Sequence, residues 1–511
     1  MALLFGAIRV LLILNFDGMW GVDGGAYLLS RNAVLGDEPT GADFSRPPLA
    51  PGWLMVLPTT LFGDTAGLSI FAFVASFATL PGFFLLARDA LPRWGVVLSS
   101  FFLLSDWAFS EMFAAGNLPM IAFGLLLFVF WGIWRLSFFP RQGRWLPKPA
   151  PALAIMVCIP LIAVVNQTTT GISVYLVPVF VLATYTTVKR ENWPAYSASL
   201  LIPLAVGLFL ALGALPFYLN VAPGADIVRY PGPLLSVYGL ADAAWWQVLA
   251  GVPIALFALW RGTPLIRILA ILLLACTAIT PLLSWDESLM NIFYRTRYLQ
   301  MIPLYICGTW LAWQGFLYLT NWRWLIKIYV ALFCVAMVAG HIFMVHAESN
   351  LSRIVTYDTR AALEWINRQP RNGAVITNSY SLALYTAALT KRPVSWTQMA
   401  DPPKAFVERH EAVVCILNWS PDCDVRAAIA TVNAEYVLAE RVWPVYGEDI
   451  QRTIPGLGAI YSAVEAIAPH DDSYLNQIFG APDDPWPITD AAPWLSPVWE
   501  RGTTIVWRIS R

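Results

Sequence analysis

Two carboxylates, Asp17 and Asp23, fall in the run NFDGMWGVDGGAYLLSRNAVLG, which follows the first apolar stretch of the chain. An ionised group so close to lipid is costly, and the default expectation for one is a functional role. A carboxyl group at a low-dielectric interface has a raised pKa. It is then a stronger base, suited to proton transfer as long as it stays ionised at working pH. Asp23 is followed at four-residue intervals by Tyr27 and Arg31, whereas Asp17 lacks the spaced tyrosine. Asp23 is therefore the leading candidate and Asp17 its rival.

The elements that must hold these residues are membrane helices. Of 511 residues 58% are hydrophobic and 13% charged, with a mean hydropathy of +0.59, against about 25% charged in ordinary soluble domains. Charge is unevenly spread, because 33 of the 65 Asp, Glu, Lys and Arg residues lie in the last 166 positions. That shift divides a polytopic membrane domain, 1–345, from a water-soluble domain, 346–511. A net charge of −1 supplies no basic stripe to neutralise phosphates, so nucleic acid is excluded as a partner. Six cysteines, four of them in apolar segments, make no disulfide framework; only Cys415 and Cys423 are placed to pair, and both also suit a small core position.

The segment 2–16 has no small-residue cleavage site after it and reads as a retained anchor rather than a signal peptide. Arg9 in its middle implies either a start further upstream or an arginine facing the protein interior. Ten further apolar runs follow, at 66–87, 94–104, 118–134, 150–165, 172–188, 197–218, 243–260, 268–283, 298–318 and 328–345. With the first segment they make eleven candidate spans, several of them short. The run 49–63 has two internal prolines and is expected to lie in the interface or dip into it. With that choice, alternate loops carry twelve basic residues (Arg88 and Arg93, then Arg135, Arg141, Arg144 and Lys148, then Lys189 and Arg190, Arg261 and Arg267, Arg323 and Lys327). The opposite loops carry five, Arg31, Arg46, Arg229, Arg295 and Arg297. The positive-inside rule then puts the amino terminus in the cytoplasm and the tail outside. Twelve of the fourteen acidic residues before the tail, Asp106 and Glu111 among them, fall in the outer loops, where most are expected to be solvated.

The stretch from Asp23 onward, DGGAYLLSRNAVLGDEPTGADFSRPPL, resembles the first extracytoplasmic loop of the GT-C glycosyltransferases. The similarity is to the branch holding the protein O-mannosyltransferases and the lipid A aminoarabinose transferases. Those enzymes have an Asp after the first span, a helix along the membrane and a basic-Pro-Pro-Leu element, here Arg46-Pro47-Pro48-Leu49. SEMFAAGNLPMIAFG (110–124), with Glu111, is similar to the family's second outer loop, although Asn117 stands where an Asp is usual. YRTRYLQMIPLYI (294–306) is similar to its Arg-Tyr-x-x-x-x-Pro lead into a late span, and 362–394 to the α/β domain of many bacterial members.

The resemblance implies an inverting transferase of the plasma (inner) membrane. Such an enzyme moves a sugar from a polyprenyl-phosphate-linked donor to the hydroxyl of an extracytoplasmic lipid, glycan or protein. It implies Asp23, in the catalytic loop 17–65, as the general base. Arg46 is implied as a ligand of the donor phosphate, with Arg295 and Arg297 at the same depth, since a developing phosphate charge needs cations. Tyr27, Arg31, Glu111 and Asn117 are implied as substrate-loop residues. Ser45 stands where the lipid A enzymes have a Glu, and the four histidines form no ligand spacing. No metal or other cofactor is therefore expected, which leaves a divalent ion open rather than ruled out.

The tail alternates short apolar runs, GAVIT, AVVCIL, EYVLAE and TTIVWRI, expected as strands, with helical runs at 360–368 and 425–432. It has no nucleophile elbow, phosphate loop or metal motif, so its expected role is to cap the site or select the acceptor, and a purely structural role fits equally. Three sequons, at Asn166, Asn350 and Asn418, are expected to face outward. The competing functions are a transporter or flippase for lipid-linked sugars and a non-catalytic membrane scaffold. A transporter would place ionisable groups at mid-membrane and repeat its halves, and neither feature is evident.

Overall fold

The computed structural model describes residues 18–20, 24–36, 49–106, 119–137, 149–213, 244–283, 290–351, 353–370, 373–377, 380–394, 412–413, 415–416, 424–440, 493–502 and 504–510. The described residues of the ten apolar runs after the first segment are almost entirely helical. After a short strand β1 (Gly18–Trp20) come α1 (Gly24–Val34), α2 (Leu49–Phe77), α3 (Thr79–Ala90), α4 (Arg93–Ser105) and α5 (Pro119–Leu136). These are followed by α6 (Pro149–Val165), α7 (Gln167–Tyr185), α8 (Trp193–Leu212), α9 (Ala244–Arg261), α10 (Pro264–Leu283), α11 (Met290–Tyr318) and α12 (Arg323–Leu351). By length and composition three stretches among the described residues suffice to cross a membrane, 52–90, Pro119–Leu136 and 190–212. Five shorter apolar helices accompany them, and the eleven-span expectation falls partly on residues outside those described.

The run 49–63, expected to lie at the interface, is helical through Pro51 and Pro58, and the break comes at Gly63. Gly63 interrupts α2 with φ 78° and ψ 170°, a region essentially restricted to glycine. A straight helix would hold residues 59 and 67 about 12 Å apart, yet a Cβ on Gly67 would come within 2.7 Å of Thr59 Cα. The chain therefore folds back at Gly63, and α2 is two limbs. The first limb buries Met55 and Thr59 and exposes Trp53, Leu57 and Leu61, an i, i+4 apolar stripe suited to the membrane surface.

The bundle core is built from α3 to α11, with Phe83, Phe123, Phe130 and Tyr196 among its fully buried side chains. Prolines inside α6, α7, α8, α9 and α11 (Pro160, Pro178, Pro203, Pro253 and Pro303) are tolerated as in other membrane helices, where neighbours satisfy the freed carbonyls. α6 and α7 meet at a one-residue corner. There Asn166, expected as an outward sequon, caps α7 by accepting hydrogen bonds from the Thr169 amide at 2.7 Å and hydroxyl at 2.8 Å. Asp106 departs from expectation. It is no solvated loop residue but 3% exposed at the end of α4, accepting a short hydrogen bond from the Tyr305 hydroxyl of α11. α4 is only 13 residues long, so its end stops against the middle of α11 rather than at the surface.

α12 runs on past position 346 to Leu351. Then come β2 (Arg353–Thr356), α13 (Tyr357–Arg368), β3 (Ala374–Thr377), α14 (Tyr380–Thr390), α15 (Val425–Val432), β4 (Ala434–Glu440), β5 (Leu495–Arg501) and β6 (Thr504–Ile509). A four-stranded sheet has the order β3-β4-β6-β5, with β3 and β4 parallel and the other pairs antiparallel. Alternation sends Val375, Leu438 and Val506 to one face and Ile376, Val437 and Trp507 to the other. Within AVVCIL the described residues, 412–413 and 415–416, are helical instead of the expected strand and cover the second face. Its apolar run suits a buried element of either kind. Cys415 is disulfide-bonded and Cys158, Cys276, Cys307 and Cys334 are free; Cys423 and the sequon Asn418 lie outside the described residues.

One buried cation locks the sheet to α13. Arg392 Nη2 donates to the carbonyls of Ile366, Gln369 and Pro370 at 2.6–2.8 Å, and its guanidinium lies 5.6 Å from the Tyr436 ring and 3.6 Å from Glu435. Burial, and next the adjacent Glu435, push the Tyr436 hydroxyl above the ordinary phenol range.

Gly63→Val is expected to cost about 1–3 kcal/mol, seen as a lower melting temperature in detergent. Leu61→Val, on the exposed stripe, is expected to leave that temperature unchanged.

Candidate active site

The strongest feature around the expected loop is the contact between α1, which begins at the residue after Asp23, and the tail helix α14. Gly24 and Gly25 lie against α14 so closely that a Cβ on Gly24 would overlap the Tyr385 hydroxyl. A Cβ on Gly25 would come within 2.6 Å of the Tyr385 amide nitrogen. Further along α1, the Asn32 side-chain amide donates to the Ala388 carbonyl at 2.9 Å. Only glycine at both positions permits this approach, which explains the Asp-Gly-Gly sequence.

The loop is tied to the tail a second time, by β1. Its residues pair antiparallel with β2, Gly18 opposite Thr356 and Met19 opposite Val355. The two candidate bases thus bracket β1 in sequence, Asp17 just before it and Asp23 just before α1. Both aspartates lie outside the described residues, as do Arg46, Glu111 and Asn117. What the structure fixes is the frame on either side of Asp23. That position directly precedes a helix, where unsatisfied amides favour an ionised carboxylate.

Of the substrate-loop residues, Tyr27 is 8% exposed and packs edge-on against Phe71 of α2, with ring centroids 5.6 Å apart. It belongs to a core shared with Leu384, Tyr385, Val375 and Leu438 of the tail. Arg31 makes a short ion pair with Asp64, just past the Gly63 turn, and its Nη2 donates to Asn32 Oδ1 at 2.7 Å. Its charge therefore joins α1 to the fold-back of α2. Asp64, Tyr385 and Asn32 complete this frame and were not among the expected site residues. The only sequence sign of them was the glycine pair.

Arg295 and Arg297 both fall on α11, whose backbone is described there. Two residues apart on a helix, they sit about 200° apart around its axis, on opposite faces. The Tyr305–Asp106 pair lies eight residues further along α11 from Arg297, or about 12 Å. Thr296, between the two arginines, is buried and shares a short hydrogen bond with Tyr175 of α7. Among the described residues no three His, Cys, Asp or Glu side chains gather as a metal site.

The arrangement has two ends. Ile121 at the start of α5 and Val165 at the end of α6 pack on the core shared by loop and tail. At the other end of α5, Arg135 makes a short ion pair with Asp89 at the end of α3. The loop–tail layer and the arginine-rich helix ends therefore occupy opposite ends of the bundle.

Gly25→Val is expected to drive α14 off α1, read as faster proteolysis of the tail with helix content unchanged. Leu35→Ala, at an exposed position beyond α1, is expected to leave the proteolysis rate as it is.

No family model matches the sequence, and no curated protein matches it either. Its fold has solved counterparts. ArnT from Cupriavidus metallidurans bound to undecaprenyl phosphate superposes with a TM-score of 0.56 at 14% identity, over 99% of this chain and 97% of that one. The oligosaccharyltransferase of Archaeoglobus fulgidus in its apo form gives 0.54 at 12% identity, over 91% of this chain and 71% of that one. The same archaeal protein, AglB, in complex with an inhibitory peptide and a dolichol-phosphate gives 0.51. The chain is a membrane protein that shares the fold of these solved structures.

Proposed function

We propose that this protein is an inverting glycosyltransferase that takes its sugar from a polyprenyl-phosphate donor and passes it to a hydroxyl outside the cytoplasm. The observation that carries the reading is the end-to-end likeness to ArnT, crystallised with undecaprenyl phosphate, together with the frame built around the residue after Asp23. An enzyme of this kind works where its donor's phosphate sits, at headgroup depth. The first limb of α2, with its exposed Trp53, Leu57 and Leu61, supports that depth for the loop 17–65.

In this reading Asp23 accepts the proton of the acceptor hydroxyl as the hydroxyl oxygen attacks the anomeric carbon. The bond from that carbon to the phosphate oxygen breaks on the opposite face, so configuration inverts and polyprenyl phosphate leaves as an anion. Arg46, and one of Arg295 and Arg297, meet the growing phosphate charge, as preorganised cations do in a poorly solvated site. The loop–tail layer forms the outer wall, which excludes water that would otherwise compete with the acceptor. We further propose eleven spans, a division into 1–345 and 346–511, and a tail outside the inner membrane. The position of the arginine-rich ends opposite the loop–tail layer supports this sidedness by the positive-inside rule. The disulfide at Cys415 also supports it, since such bonds persist in oxidising compartments.

Asp23→Asn keeps size and much of the hydrogen bonding but has no basic oxygen pair. Transfer by purified protein from a polyprenyl-phosphate sugar is expected to fall roughly 10²–10⁴-fold, with donor binding kept and Asp17→Asn nearly as active as wild type. Loss in Asp17→Asn with full activity in Asp23→Asn would move the base to Asp17. Full activity in both variants and in the double would favour a transporter or scaffold.

A further inference from the structure

At the arginine-rich end of the bundle, far from the loop–tail layer, α4, α11 and α12 part to leave a cavity of about 580 Å³. Sites for small apolar ligands span roughly 300–1,000 Å³. Its walls include Trp94, Val97, Trp313, Phe316 and Val330, and the charged residue lining it is Lys327. The aromatic floor is ordered: Trp94 and Trp313 lie 4.9 Å apart, and Trp313 stacks on Phe316 at 5.6 Å with an interplanar angle of 12°.

The mouth is cationic. The Arg323 guanidinium lies 5.1 Å from the Phe316 ring and Lys327 Nζ 6.0 Å from it, while Arg93 immediately precedes Trp94 at the start of α4 and is exposed. Among the described residues none of the three is paired with a carboxylate. Around them Trp322, Trp324 and Tyr329 are 59–70% exposed, the residue types that gather at headgroup level.

An apolar slot opening beneath unpaired cations at the membrane surface matches one chemistry, an acyl chain joined to an anionic headgroup. A water-soluble ligand would find almost no polar partner along these walls. A neutral phosphatidylcholine would bring its own cation against three others. Basic pockets between membrane helices bind acidic lipid headgroups in this manner. We infer that this cavity is a binding site for an acidic glycerophospholipid, one acyl chain on the Trp94–Trp313–Phe316 floor and the phosphate among Arg93, Arg323 and Lys327. The inference needs only the membrane fold and stands apart from the transfer reaction proposed above.

The test is native mass spectrometry of the delipidated full chain in detergent, given phosphatidylglycerol, phosphatidylcholine or undecaprenyl phosphate. Wild type is expected to retain one phosphatidylglycerol at least about fivefold more than phosphatidylcholine. Arg323→Gln/Lys327→Gln is expected to abolish that preference, and Ala312→Trp, which fills the slot from its wall, to abolish retention. The charge variant tests the idea alone should the tryptophan variant misfold. Equal retention of both phospholipids by wild type, or unchanged phosphatidylglycerol retention in the variants, overturns the inference. So does a slot that holds undecaprenyl phosphate in preference to phosphatidylglycerol and loses it in Ala312→Trp, which would make it a second site for the polyprenyl lipid.

Discussion

The loop–tail layer of this structure depends on one close approach, the seating of α14 on Gly24 and Gly25. A side chain at either glycine would meet Tyr385, and with it would go the core that Tyr27, Phe71, Leu384 and Leu438 share. That core joins segments more than 300 residues apart in sequence. It makes the tail a wall of the first loop rather than an appendage tethered by α12. The β1–β2 pairing adds a backbone tie on the other side of Asp23, so the candidate base is flanked by two fixed anchor points within a few residues. Preorganisation of this kind limits the reorganisation a reacting group must undergo.

The charged groups divide between those used for architecture and those left for chemistry. Arg31 is committed to Asp64 and Asn32, and Arg392 to three carbonyls at the end of α13. Arg135 is committed to Asp89. Breaking one partner of such a buried or half-buried pair leaves the other uncompensated, which costs more than the pair contributes. Asp106 belongs with this group: its short bond to Tyr305 ties the end of α4 to α11.

Much of this was legible in the sequence, because the signals involved are local. Apolar runs became helices since a chain in lipid must satisfy its backbone within itself, whereas the break at Gly63 has no sign in the two prolines that set 49–63 apart. Short motifs also carried a family resemblance, and a likeness of fold to ArnT extends over 99% of this chain at 14% identity. What escaped was long-range. Nothing near Arg31 indicates Asp64 as its partner, and nothing near Gly24 indicates Tyr385. AVVCIL misled because a short apolar run has no period to distinguish helix from strand. Asp106 misled because its burial depends on α4 being shorter than a full span.

The proposed reaction requires that sugar leave its lipid carrier through this protein. The direct measurement is mass spectrometry of envelope lipids, glycans and proteins from a strain lacking the gene and from the same strain complemented. The account predicts that deletion removes a fixed sugar increment from one envelope acceptor while intact polyprenyl-phosphate sugar accumulates, and that complementation reverses both changes. Identical envelope profiles with no accumulated donor would contradict it.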